Sequence, residues 1–131
     1  MRIKLRHLDE YAAARNKAAA YYDKAFANNP KIKTPVRAKN STHVFHQYTL
    51  VLNGADRNKL KEHLATKDIP AMIYYPLPLH HQKAYANERF KDADFPITVP
   101  LCKNVISLPM HTELDEETLK YITDSVLDFV K

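Results

Sequence analysis

Residues 72–85 read MIYYPLPLHHQKAY and place three tyrosines, two adjacent histidines and a glutamine within fourteen positions. Tyr74 and Tyr75 close an apolar run, so in an extended backbone one faces the core and the other a cleft. Pro76 and Pro78 fix backbone dihedrals and hold the following groups in place at low entropic cost. His80, Gln82 and Tyr85 then offer donors and acceptors suited to hydroxyls and carboxylates, the groups of a sugar or an amino acid. A proline-stiffened connector whose aromatics pack on a sheet explains the same composition. The residues alone leave both readings open.

Other reactive side chains are less organised. The chain has seven histidines, but His43 and His46 stand three apart on an expected strand and point to opposite faces. His80 and His81 are adjacent and are expected to diverge. No CxxC, HExxH or carboxylate-rich loop accompanies them, so no metal site is assigned. Cys102 lies among apolar neighbours in PLCKN, where a small core residue is a simpler reading than a nucleophile. Glu113 and Asp115 could form an acid–base pair, yet helix capping accounts for them more simply. Glycine excludes more: Gly54 is the only one, so neither a P-loop nor a dinucleotide fingerprint can be written.

At 131 residues, 45% of them hydrophobic and 27% charged, the chain fits one folded domain. No apolar run is long enough for a membrane span. The opening MRIKLRHLDEY has no apolar core behind its basic residues, unlike a signal peptide. The lone Cys102 suits a reducing cytoplasm. The net charge of +5 is uneven: residues 1–39 carry ten Lys/Arg against three Asp/Glu, and residues 104–131 carry two against six. Because the basic residues interleave with a helical apolar stripe, they read as a solvated helix face rather than a nucleic-acid surface.

The positioning elements follow from periodicity. Residues 4–27 predict a long helix, with Leu5, Leu8, Ala12, Ala19, Tyr22 and Phe26 at three- and four-residue steps, stopped by Asn28-Asn29-Pro30. Its start lacks a capping residue, as in a helix continuing from a longer element. Residues 31–42 read as an extended connector, and HVFHQYTLVL (43–52) as a strand. After Asn53-Gly54, Asp56 caps a helix to about Lys67 with Leu60 and Leu64 inward. Ile69–Tyr75 reads as a second strand, followed by loop 76–82, a short helical piece near 83–90 and a helical turn at 97–103. Asn104–Leu108 is a third strand. Asp115 caps a last helix that buries Leu119, Ile122, Val126 and Val130. This order predicts an α+β fold, a small, largely antiparallel sheet of three to four short strands with helices on one face.

LDEYAAARNKAAAYYDKAF, HVFHQYTLVL, DRNKLKEHLATKDIPAMIYYPLPLHHQKAY and VISLPMHTELDEETLKYI occur in an order that resembles the DegT/DnrJ/EryC1/StrS sugar aminotransferases, which depend on pyridoxal phosphate (PLP). The combination of YYPLPLH with SLPMHTELDEE carries the resemblance. It covers nearly the whole chain but only the C-terminal third of the family pattern. The resemblance therefore implies one C-terminal small domain over 1–131, with residues 1–28 a long helix normally joined to a missing large PLP-binding domain. That domain would supply the Schiff-base lysine, the acid paired with the pyridinium nitrogen and the phosphate cup.

What the family implies is amino transfer, usually from glutamate, onto a keto-sugar attached to a nucleotide, for surface polysaccharide or lipopolysaccharide synthesis. VFHQYTL and IYYPLPLH are most similar to members acting on a 3-keto uronic acid. Tyr74, Tyr75 and His80 are implied substrate contacts, with Gln47 a further one; many members carry histidine at the position of Tyr74. No catalytic, cofactor-binding or metal-binding residue is assigned to this chain, which is expected to be inactive alone. A homodimer or self-association through apolar surface left uncovered is also expected. The alternative is a stand-alone sugar-nucleotide-binding or regulatory module derived from the family, without catalysis.

Overall fold

The computed structural model describes residues 2–131. Two helices open the chain, α1 (Arg2–Leu5) and α2 (Leu8–Phe26). The single helix expected over 4–27 is thus divided: at the break, the Arg6 and His7 N–H groups bond to Ile3 and Lys4 carbonyls three residues back, the tighter winding of a 3₁₀ turn. The half of α2 nearest its end buries Ala18, Ala19, Tyr22 and Phe26. Such aromatic burial contributes on the order of 2 kcal/mol per ring.

The sheet has three antiparallel strands in the order β1–β2–β3, namely β1 (Ile32–Lys33), β2 (Tyr48–Leu52) and β3 (Val105–Leu108). Ile32 pairs with Leu52, and Tyr48 with Leu108. Tyr48, Leu50 and Leu52 alternate along β2 and are all buried, as the two-residue period of a strand requires. They meet Tyr22 and Phe26 of α2, Leu60 and Leu64 of α3 (Arg57–Ala65), and Leu119, Ile122 and Val126 of α5 (Glu116–Val130) in one core. The α+β reading holds, at the lower strand number.

Two caps act where the sequence places them. The Asp56 carboxylate accepts from the Asn58 and Lys59 amides, and that of Asp115 from Thr118. Gly54 supplies the positive φ of 76° in the turn between β2 and α3. The buried stripe of α5 is the expected one.

Four local expectations are corrected. Residues 43–47 are not strand, because Phe45 adopts φ 45° and its N–H donates to His43 Nδ1 at 2.9 Å. Ile32–Lys33, inside the expected connector, forms β1 instead. The expected strand Ile69–Tyr75 reduces to one antiparallel bridge, Met72 with Ser107, since Pro70 has no N–H to extend the ladder. Residues 83–90 form turns rather than a helix, and a short 3₁₀ turn follows at Asp92–Asp94. Helix α4 (Thr98–Asn104) matches the expected helical turn. Among the described residues, no helix is long and apolar enough to cross a membrane.

Candidate functional site

The Met72 bridge positions the first part of the site. Met72 and Ser107 exchange backbone hydrogen bonds of 3.0 and 2.7 Å, which lays residues 70–74 along the free edge of β3. The segment preceding β2 is fixed from the other side. Arg15 Nε donates to the Val44 carbonyl at 2.8 Å and Asn16 Nδ2 to that of His43 at 2.8 Å, so α2 holds 43–44 away from the sheet. Between these segments lies an open cleft of about 220 Å³, whose walls include His46, Gln47, Met72, Tyr74, Pro109 and Met110.

Gln47 and Tyr74 therefore share one cleft. Both side chains are exposed, and together an amide and a phenol offer the donors and acceptors that a polyol needs. Ser107 also borders the cleft, but its hydroxyl is engaged with Thr49 Oγ1 at 2.8 Å. Among the described residues, no lysine, cysteine or carboxylate lines it. Such walls can bind and orient a ligand, and His46 and Tyr74 are the groups there able to exchange a proton. Tyr75 lines neither this cleft nor the next cavity; it stands 74% exposed, edge-on to Tyr74 with ring centroids 6.2 Å apart.

His80 lies elsewhere. Pro78 precedes a 3₁₀ turn, Leu79–His81, that turns the His80 ring onto Phe95 at 4.5 Å. This stack borders an apolar cavity of about 370 Å³ shared with Leu79, Tyr85, Phe90 and Thr98. Contrary to the expected divergence, His80 and His81 converge: each places Nε2 on Asp92 Oδ1, at 3.0 and 2.5 Å. Hydrogen bonds from His80 and then His81 hold the Asp92 carboxyl below the ordinary carboxylate range. Asp92 carries no signal in the sequence because it lies a loop away from the histidines and belongs to no motif.

The remaining candidates take ordinary roles. Asp115 is a cap, and the Glu113 N–H donates to His111 Nδ1. Cys102 is half-buried, and its carbonyl accepts Arg57 Nη1 at 2.7 Å.

PLP, the coenzyme implied by the family resemblance, needs a lysine amine in a sheltered site and a cradle of backbone N–H groups for its phosphate. Every lysine except Lys31 and Lys67 is exposed, and Lys31 Nζ is bonded to the Lys131 carbonyl at 2.7 Å. The only glycine stands in the exposed turn before α3. The residues present do not fit the coenzyme.

The chain matches the DegT/DnrJ/EryC1/StrS aminotransferase family over residues 1–127. It is 35% identical over 131 residues to the "Pleiotropic regulatory protein" of Geobacillus stearothermophilus, covering 98% of this chain and 35% of that one. It is 34% identical over 119 residues to the UDP-2-acetamido-2-deoxy-3-oxo-D-glucuronate aminotransferase of Pseudomonas aeruginosa, covering 91% and 32%. Superposition on the crystal structure of S. venezuelae DesV, in complex with a ketimine intermediate, gives a TM-score of 0.91 at 31% identity over 99% of this chain and 34% of that chain. The chain spans about a third of the length of these relatives. Sequence and fold agree, and the chain belongs to the DegT/DnrJ/EryC1/StrS aminotransferase family.

Proposed function

We propose that these residues are the small-domain portion of a PLP-dependent nucleotide-sugar aminotransferase, which walls the sugar site and leaves the coenzyme to a large domain. The carrying observation is that a match over nearly the whole chain accounts for only a third of each relative, and that the lysines and single glycine here do not fit PLP. Gln47 and Tyr74 bind substrate hydroxyls in the shared cleft, and Tyr75, exposed beside Tyr74, is left for a ligand or partner that reaches past the cleft. His80, stacked on Phe95 outside the cleft, supports the loop rather than touching the sugar. The chain alone does not transfer an amino group. In the assembled enzyme, PLP supplies the electron sink for moving an amino group, from glutamate, to a ketone. The name of the P. aeruginosa relative supports a 3-keto uronic acid on a nucleotide as the acceptor. The lone cysteine suits a cytoplasmic location.

Uncovered apolar side chains favour a partner at two places. Ile3, Leu5 and Leu8 are 78%, 70% and 52% exposed on the opening helices, and Tyr75, Leu77 and Leu79 are exposed on the loop. A large domain or second subunit at these surfaces would remove that area from water.

Nucleotide sugars, including UDP-linked uronic acids, can be titrated into the isolated chain while the amide resonances of residues 46–47 and 72–85 are followed. Weak shifts confined to those residues, strengthened when the large domain is added, support a half-site. Tight binding by the chain alone supports the stand-alone module. Shifts only at other residues overturn the assignment of the cleft.

A further inference from the structure

The geometry points to a transition-metal site, of the Zn²⁺ class, formed by His80 Nε2, His81 Nε2 and Asp92 Oδ1. These three atoms lie within 4.8 Å of one another, although His80 and His81 come from one turn and Asp92 from another. Ligands bound tetrahedrally at 2.0–2.1 Å sit about 3.3 Å apart. The contacts of 3.0 and 2.5 Å to the carboxylate oxygen therefore open by about 0.3 and 0.8 Å to admit an ion. The movable members can do this, since the His81 and Asp92 side chains are 38% and 56% exposed. His80 is the fixed member, only 7% exposed at its side chain and stacked on Phe95.

The donor set selects the ion. Two imidazoles with one carboxylate suit Zn²⁺, Co²⁺, Ni²⁺ or Cu²⁺, whereas Mg²⁺ and Ca²⁺ prefer oxygen alone. Three protein ligands leave a coordination position for water or an incoming oxygen ligand. Backbone bonds preorganise both turns. The His81 N–H donates to the Pro78 carbonyl at 3.0 Å, and that of Phe95 to the Asp92 carbonyl at 3.0 Å. An ion here ties Leu79–His81 to Asp92–Asp94, and so closes the ends of loop 82–91 beside the apolar cavity bordered by Tyr85 and Phe90. The assignment uses this chain's own residues and does not depend on the proposed transferase role.

Calorimetric titration of the metal-free 131-residue chain with Zn²⁺ tests it, with Co²⁺ absorption as a second readout. One saturable equivalent is expected. His81→Ala and Asp92→Asn should each weaken binding by at least about tenfold, the loss that removal of even an outer-shell partner causes. His7→Ala, at an exposed histidine paired with Glu10, should bind as the parent does. Absence of saturable binding, or equal affinity in both ligand variants, overturns the site. Should a variant unfold, the ring resonances of the parent decide: Zn²⁺ shifts at His80 and His81 support the site, and shifts only at other histidines overturn it.

Discussion

Removing the Tyr48 hydroxyl tests the contact that anchors the cleft wall carrying Gln47. Tyr48 is fully buried at the start of β2, and its OH donates to Asp23 Oδ1 at 2.6 Å. The other Asp23 oxygen accepts from Arg37 Nε and Nη2 at 3.0 and 2.7 Å, while the Arg37 guanidinium covers the Phe45 ring at 4.6 Å. One carboxylate on α2 thus joins the strand to the irregular segment that carries Gln47. Burial, and then the bond to Asp23, push the Tyr48 phenol well above its ordinary value, so it stays a neutral donor at any working pH. Tyr48→Phe keeps the ring, its packing on Tyr22 at 4.9 Å and its buried area; the substitution removes only the hydrogen bond.

A hydrogen bond to a charged group contributes about 1.5–3 kcal/mol. The Asp23 side chain is 29% exposed, so water can partly replace the lost donor, and the lower end, about 1.5 kcal/mol, applies. For a chain of this size that corresponds to a fall in Tm of roughly 5 °C. Tyr22→Phe is the internal comparison. Its hydroxyl donates to the neutral Pro109 carbonyl at 2.9 Å, and the expected cost is about 1 kcal/mol. Urea unfolding of both variants measures the difference. If Tyr48→Phe costs no more than Tyr22→Phe, or nothing, the charged network does not anchor this wall.

Leu50→Ala, at a fully buried position in the middle of β2, should cost about 2–5 kcal/mol, while Val36→Ala at an 82% exposed position should stay within about 0.5 kcal/mol; equal costs in denaturant would contradict the core assignment. The two caps predict acid sensitivity. Backbone hydrogen bonds, foremost from Lys59, lower the Asp56 pKa, and the bonds of Thr118 lower that of Asp115. Because the unfolded carboxyls bind protons first as pH falls, the stabilisation is complete above the ordinary carboxylate pKa and disappears as pH drops through the lowered folded values. Thermal melts across the acid range should show a fall that is smaller in Asp115→Asn, and an identical profile would refute this linkage. Self-association through the exposed Leu5 and Leu8 predicts that replacing both by serine lowers the sedimentation coefficient without lowering Tm; an unchanged coefficient would contradict it.

Legibility followed the range of the interactions. Helices α3 and α5 were readable because Asp56 and Asp115 cap them through amides two or three residues away, and because their apolar stripes repeat locally. HVFHQ carries a β-branched and an aromatic residue, Val44 and Phe45, and runs directly into the true strand beside it. Its departure from the sheet is imposed by Arg15 and Asn16, more than 25 positions distant. The two residues of β1 carry no pattern of their own and are strand only because Leu52 and Val51 pair with them. The site divided in the same way. The loop residues were visible by type, whereas the pairing of Gln47 with Tyr74 depends on the Met72–Ser107 bridge, and the approach of His80 and His81 to Asp92 on two separate 3₁₀ turns. Family resemblance supplied what local periodicity could not: a reason to propose a sugar at one of these loops.

The central claim is that this chain shapes a sugar cleft but cannot hold the coenzyme, and adding PLP to the purified chain tests it most directly. Borohydride reduction followed by peptide mass analysis should show only sparse, scattered modification of exposed lysines, with no saturable absorbance band. A stoichiometric band abolished by substituting a single lysine would contradict the account.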